Sequence, residues 1–387
     1  MAIPLKYNIR SLLVRRISTA MTAGGIALVV AVFVIVMAMV AGIGTAITDA
    51  GSPDNMVVVR RGATTETYSL MTIDQFNSLK YLPGIRRDAA GNPLASPELP
   101  VQTLLQRIGG PSENIVFRGV MPMALEVHDQ VHISEGRMFR PGLNEVIVGK
   151  GLVGRYVDCR LGAILHFGRG TWKVVGIFEA NGSSFESEVW GDIHSVQDEA
   201  RRGAYYACAR IKLAPGADPA GLIKRIANDP KINLEAESEQ DYYSDEASVA
   251  TQLRKLMMIV ALIMGIGAIF GAMNTMYAAV SARTVEIGTL RALGFGPGAV
   301  MGSFLAESIA LAMGAGVIGV LLALPMNGWS TTFGNFVTFS SMAFSFRVTS
   351  TIVIEALIFA ATMGLLGGWL PARQAMRLAV VDALRKS

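Results

Sequence analysis

Four stretches of this chain are too long and too apolar to fit an ordinary soluble core, and they constrain the architecture before any motif is read. Ile17 to Thr48 carries no charged residue, and neither does Leu256 to Ala282. Ala299 to Met326 carries one, Glu307, and Val348 to Ala372 carries one, Glu355. About 20 apolar residues suffice to cross a bilayer. Over the whole chain 17% of residues are charged, against about 25% in soluble domains. The first run is about twice the length of a signal-peptide core, and no small-residue cleavage site follows it, so it reads as a retained helix. At about 1.5 Å per residue, a span from Ala20 to Ile47 would be about 42 Å long. The hydrocarbon core is about 30 Å thick, so the excess implies tilt or an extension beyond the membrane.

Basic residues orient the spans. Lys6, Arg10, Arg15 and Arg16 precede the first; Arg283 and Arg291 lie between the second and third; Arg373, Arg377, Arg385 and Lys386 follow the fourth. The loop from Asn327 to Phe346 has no charge. The positive-inside rule then places both termini and the Arg283 loop in the cytoplasm, and residues 49–250 and 326–347 outside. Ahead of the first span, Leu5, Ile9, Leu12, Leu13 and Ile17 recur at helical spacing, with Lys6, Arg10 and Arg16 off that stripe. This suits an amphipathic helix on the inner membrane surface.

Asp49 to Lys255 has soluble composition and a mixed pattern. NMVVVR at 55–60, NIVFRGV at 114–120, EVIVG at 145–149, ILHFG at 164–168, WKVVGIF at 172–178 and YYACARIKL at 205–213 read as strands separated by turn residues. Ile232 to Ala236 reads as a last strand. Thr72 to Leu82 reads as a helix capped by Thr72, and Asp218 to Asn228 as a helix with Asp218 as cap and Pro219 first. The fold class is a membrane protein of four transmembrane α-helices with an α+β extracytoplasmic domain inserted between helices 1 and 2.

Little in the chain suggests chemistry of its own. There is no G-x-x-x-x-G-K-[ST] loop, G-x-S-x-G or H-E-x-x-H, so no ATP site and no hydrolase is expected. His128-x3-His132 has metal-like spacing, but no third ligand accompanies it, and the pair reads as two solvated histidines. Cys159 and Cys208 leave pairing open. The net charge of +4 reflects the cytoplasmic flanks and does not point to nucleic acid. Within the spans, Gly267-x3-Gly271 and Gly364-x3-Gly368 have the small-residue spacing that lets membrane helices approach closely. Asn274 and Glu307 are intramembrane polar groups, and Glu307 reads as a hydrogen-bonded structural acid inside the bundle.

The segment Arg283 to Gly294, RTVEIGTLRALG, is a short charged interruption between two spans. It closely resembles the corresponding loop of the MacB/FtsX/LolC-type ABC transporter permeases. Other stretches agree with it in order: Phe304 to Gly319 with its acid Glu307, Pro371-Ala372-Arg373 followed by Val381 to Arg385, and Arg16, Thr19 and Thr22 to Ile26 at the first span. In the soluble part, Phe117 to Val120, Gly136 to Phe139, Glu145 to Gly149 and Val174 to Ile177 are similar to the family's periplasmic core. The resemblance implies a permease that converts ATP hydrolysis by a partner into periplasmic motion driving export or extraction of a substrate. It implies a second permease copy or a paralogue, an ABC ATPase subunit that holds ATP and Mg while this chain binds no cofactor, and assembly with a periplasmic adaptor and an outer-membrane channel. With only 19 residues ahead of the first span, the ATPase is expected on a separate polypeptide. The competing reading is an FtsX-like signalling scaffold that activates a cell-wall hydrolase.

On this reading the chain divides into a cytoplasmic amphipathic helix (1–19), a first span (20–48), a periplasmic core domain (49–250) and a second span (251–281). A cytoplasmic coupling loop (282–298), a third span (299–325), a periplasmic loop (326–348), a fourth span (349–370) and a cytoplasmic tail (371–387) follow. Arg283, Glu286, Ile287, Gly288, Leu290, Arg291, Leu293 and Gly294 would form the ATPase-coupling site. Ile287, Leu290 and Leu293 would present an apolar stripe to it, and Glu286 and Arg291 would make charged contacts at its rim.

Overall fold

A computed structural model describes residues 16–63, 65–230, 232–335 and 340–378. The expected amphipathic stripe up to Leu13 and the Val381–Arg385 signature lie outside them. The chain divides into two compact units. One comprises Met1–Ala41, Thr251–Trp329 and Phe346–Ser387; the other comprises Gly42–Ala250 and Ser330–Ser345.

The first unit is helical. Among the described residues four helices are long and apolar enough to cross a membrane: Arg16–Thr48, Ser248–Ala282, Pro297–Ala323 and Ser350–Arg377. Pro297 starts its helix at a position whose N–H would be unbonded anyway. Thr349 caps the last one, accepting from the Ile352 N–H at 3.3 Å. Burial from water does not drive helices together in lipid, so close packing and hydrogen bonds must. A Cβ on Gly364 would fall 2.6 Å from the Ala312 Cβ, and one on Gly368 would fall 2.6 Å from the Ser308 Cβ. The third and fourth helices therefore touch where only glycine fits, and Ser308 Oγ donates to the Gly364 carbonyl at 2.7 Å.

The second helix departs from the expectation. Nothing lies within 4 Å of a Cβ at Gly267 or Gly271. Its contact with the fourth helix runs instead through Gly265, against Phe359, and through Ala272, against Gly367. Gly267 and Gly271 line an open groove of about 500 Å³ with Gly25 and Thr22 of the first helix, where the Thr22 and Thr275 hydroxyls meet at 2.6 Å. Asn274 is exposed. Glu355 is paired with Arg254 at 2.8 Å.

The second unit is mixed α and β. Its strands are β1 (Asn55–Arg60), β2 (Met71–Thr72), β3 (Ala95–Gln106), β4 (Ser112–Val120), β5 (His132–Gly136), β6 (Glu145–Gly149) and β7 (Ile164–Phe167). They continue with β8 (Gly170–Glu179), β9 (Glu188–Asp192), β10 (Tyr205–Tyr206), β11 (Cys208–Lys212), β12 (Leu234–Ser238), β13 (Ser330–Asn335) and β14 (Ser340–Ser345). Ten form one sheet in the order β12-β1-β11-β3-β4-β9-β6-β8-β5, with β7 on β8; β4–β9 and β6–β8 are parallel. The helix Ile73–Leu79 begins with the expected cap: Thr72 and Gln75 exchange side-chain and backbone bonds reciprocally. Pro219 starts the helix Pro219–Asn228, while the Asp218 side chain makes no cap bond.

Several sequence readings need correction. The run 205–213 is two strands in different sheets, because Tyr205–Tyr206 pairs with β2 while Cys208–Lys212 lies between β1 and β3. β3 interrupts its pattern with Pro97 and Pro100, yet it pairs on both sides. The Lys212 N–H to Leu94 carbonyl bond sets the phase, turning the N–H of even-numbered β3 residues toward β11. Pro100 thus lacks its donor beyond Cys208↔Glu98, where β11 pairing has ended. Pro97 lacks its donor beyond Leu99↔Gly119, where β4 pairing has not begun. The loop between the third and fourth spans is a hairpin, β13–β14, in the second unit. Its Met342 and Phe344 are buried, and Ser187 Oγ accepts from the Ala343 N–H at 2.7 Å. Gly42 lies under it, where a Cβ would fall 2.1 Å from the Ser345 carbonyl oxygen.

His128 is fully buried rather than solvated, its Nε2 2.7 Å from Glu98 Oε1. It belongs to a buried charged cluster. Arg118 binds Glu66, Glu98 and Glu188, and Arg210 binds Glu66, Glu98 and Glu239. Burial alone would raise the Glu98 carboxyl, but Arg210 and His128 hold it down at about 2. Burial likewise opposes Glu66, and Arg118 and Arg210 hold it well below the usual range. Ion pairs out of water persist only when each charge keeps its partners. Cys159 and Cys208 are unpaired buried thiols.

Candidate partner-docking site

The helix Thr284–Ala292 follows the second membrane helix after a single residue, Arg283. Glu286 lies in its first turn and Arg291 in its last, as the helix dipole favours. Gly294 ends it with φ +94, a left-handed conformation suited to glycine. The Phe295 N–H donates to the Leu290 carbonyl and the Gly294 N–H to the Arg291 carbonyl, each at 3.1 Å. That is the Schellman termination, and it turns the chain sharply into Pro297.

One face of this helix is fixed to the bundle. Ile287 packs with Met276, Val280, Val300, Phe304, Ala372 and Ala375, which come from the three later membrane helices. Gly288 is buried beside it. Arg283 is buried, with its guanidinium carbon 5.1 Å from the centre of the Phe304 ring. Its Nη1 reaches Glu307 Oε2 at 2.8 Å, and its Nε reaches Glu286 Oε2 at 3.2 Å. Glu307 is almost fully buried and ion-paired with Arg283. Arg291 Nη1 donates to the Met376 carbonyl at 3.3 Å and to the Leu378 carbonyl, so it closes the open end of the fourth helix.

The opposite face is exposed. Val285, Glu286, Thr289, Ala292 and Leu293 share it at helical spacing, and Leu293 is 71% exposed. The expected roles therefore change. Ile287 belongs to the inner face, Leu290 is half-buried at the boundary, and the outer apolar residues are Val285 and Leu293. Arg291 is engaged with the fourth helix, whereas Glu286 is on the exposed face and pairs with Arg283. The sequence reading misses Arg283 as the partner of Glu307; the signal that points to it is that an acid inside a span requires a cation within reach.

Two family models cover most of the chain. The MacB-like periplasmic core domain matches residues 19–229, and the FtsX-like permease C-terminal segment matches residues 258–380. The chain belongs to the MacB/FtsX-type ABC transporter permeases. Among related permeases, the macrolide export ATP-binding/permease protein MacB of Burkholderia thailandensis is 31% identical over 55% of this chain and 33% of its own length. The pyoverdine export ATP-binding/permease protein PvdT of Pseudomonas entomophila is 30% identical over 58% of this chain and 35% of its own length. This permease thus spans about a third of each. The periplasmic region of MacB from Actinobacillus actinomycetemcomitans aligns over 50% of this chain and 92% of its own at 11% identity, with a TM-score of 0.38.

Proposed function

We propose that this chain is the permease subunit of an ABC exporter, and that Thr284–Ala292 is its coupling helix, onto which an ABC ATPase docks. The observation that carries this is the division of the helix into a face locked to three membrane helices and a face open to a partner. A push on Val285, Glu286 and Leu293 would pass into the bundle through Ile287 and the Arg283–Glu307 pair. On this reading ATP and Mg are held by the docked ATPase and not by these residues. Both termini and the coupling helix lie in the cytoplasm on this reading. The α+β unit, inserted between the first two spans, works in the periplasm and is driven by the helices without a tunnel through them.

A second copy or a paralogous permease completes the assembly, and the groove at Gly25, Gly267 and Gly271 is a surface where another membrane helix could approach closely. A periplasmic adaptor and an outer-membrane channel would carry the substrate onward. The relatives named for macrolide and pyoverdine export support a reading of small-molecule export over activation of a hydrolase.

The test is the double substitution Val285→Asp, Leu293→Asp. It should strip the ATPase from the purified complex while membrane insertion and thermal stability stay as in wild type. Undiminished co-purification would sink the docking assignment.

A further inference from the structure

The chain enters the second unit at Gly42 and leaves it through the helix Glu239–Glu246, after which the second membrane helix starts at Ser248. Glu239 ties the entering segment to the leaving one. It is fully buried. Its Oε2 accepts from the Ser52 N–H and from Asn55 Nδ2, each at 3.0 Å. Its Oε1 accepts from Arg210 Nε at 2.9 Å. The same Asn55 Nδ2 donates to the Val127 carbonyl at 2.8 Å. Gly51 lets the two backbones touch, since a Cβ there would fall 2.9 Å from the Glu239 carbonyl oxygen. Arg210 stands in β11, between β1 and β3, and its Nη2 reaches Glu66 at 2.9 Å and the Tyr243 hydroxyl at 2.7 Å.

One carboxylate thus bonds the entering segment, the leaving helix and a central strand of the sheet. No water reaches it to replace a lost donor, so sliding one of the three past another would strand a buried charge. A flexible joint would use exposed, replaceable contacts. We infer that Glu239 is a positioning residue that locks the entering and leaving segments to the sheet, so that displacement of the membrane helices is delivered to the sheet and not absorbed at its root. This rests on the proposed ATP-driven function.

The experiment uses the full chain in nanodiscs with the ATPase that co-purifies with it, and compares wild type with Glu239→Gln. An amide keeps the shape but cannot accept on both sides, so one side of the lock faces an N–H donor with another donor. Two quantities are read: ATP turnover, and the change in backbone hydrogen exchange across β1, β11 and β12 on adding ATP. Glu239→Gln is expected to keep turnover within about twofold of wild type while the ATP-dependent exchange change falls about tenfold, the scale of an ordinary coupling energy. Asn55→Ala, which removes one of the two entering-segment donors to Glu239 together with the bond to the Val127 carbonyl, is expected to lower that change in the same direction, and it carries the test if Glu239→Gln does not fold. An undiminished ATP response in a folded variant overturns the inference alone. A wild-type complex whose sheet does not respond to ATP overturns the proposed function along with it.

Discussion

Arg283 and Glu307 form a buried ion pair at 2.8 Å, the first at the root of the short helix Thr284–Ala292 and the second inside the third membrane helix. Neither has water to fall back on. Breaking a buried pair by removing one partner costs about 3–5 kcal/mol. Glu307→Ala should therefore lower the melting temperature of the detergent-solubilised protein sharply. The double substitution Arg283→Met, Glu307→Leu should recover most of it. A single variant that melts like wild type would show that the pair carries no structural load.

Acid should weaken the second unit within a definite window. Glu98 titrates at about 2 in the folded protein, against an ordinary value of 4.5, and Glu66 is also lowered. Between those limits the unfolded chain binds more protons than the folded one, so stability rises with pH there. The stabilisation is fully present above pH 4.5 and is lost as pH falls toward 2. Melting temperatures taken from pH 7 downward should stay level to about pH 5 and then drop. A curve that drops between pH 7 and 5 and levels off below would contradict the carboxylate origin.

The two glycine pairs should behave oppositely. Gly364→Leu drives a side chain into Ala312 and Ser308 and should abolish a stably folded monomer in detergent. Gly267→Leu meets open space within the chain, so it should leave monomer stability unchanged and reduce disulfide cross-linking between copies from cysteines placed in the Gly25–Gly271 groove. Equal stability losses in both would contradict the packing described.

Membrane sidedness can be read by thiol labelling. The native thiols are buried, and burial with the nearby Asp158 pushes Cys159 up to about 12, so they should react slowly. Asn92→Cys, on an exposed turn, should be modified in intact cells by an impermeant maleimide. Leu293→Cys should be modified only after permeabilisation. Labelling of Leu293→Cys in intact cells would reverse the orientation.

Much of the architecture is legible in the sequence, because a span leaves a signature longer than any competing element. Glu145–Gly149 is readable to the residue, since a short β-branched run between turns has few alternatives. β3 is hidden by Pro97 and Pro100, whose tolerance depends on where neighbouring strands start and stop. His128 is hidden because its burial depends on Glu98, 30 residues away. At Thr284–Ala292 the position is plain from the charges, but the inner face is not. Ile287 and Leu293 are equally apolar, and only the packing of three other helices separates them. The hairpin at Ser330–Ser345 lacks charge and reads as loop; its strands gain their meaning from Ser187 and β4, far away in sequence.

That hairpin has a practical consequence for anyone dissecting the molecule. A soluble fragment cut at residues 49 and 250 would omit two strands of the unit it was meant to isolate. Ser187 would lose the backbone N–H it accepts from, and the surface that Met342 and Phe344 cover would stand bare to solvent. A fragment that retains Ser330–Ser345 through a short linker should stay monomeric, whereas the contiguous cut should aggregate.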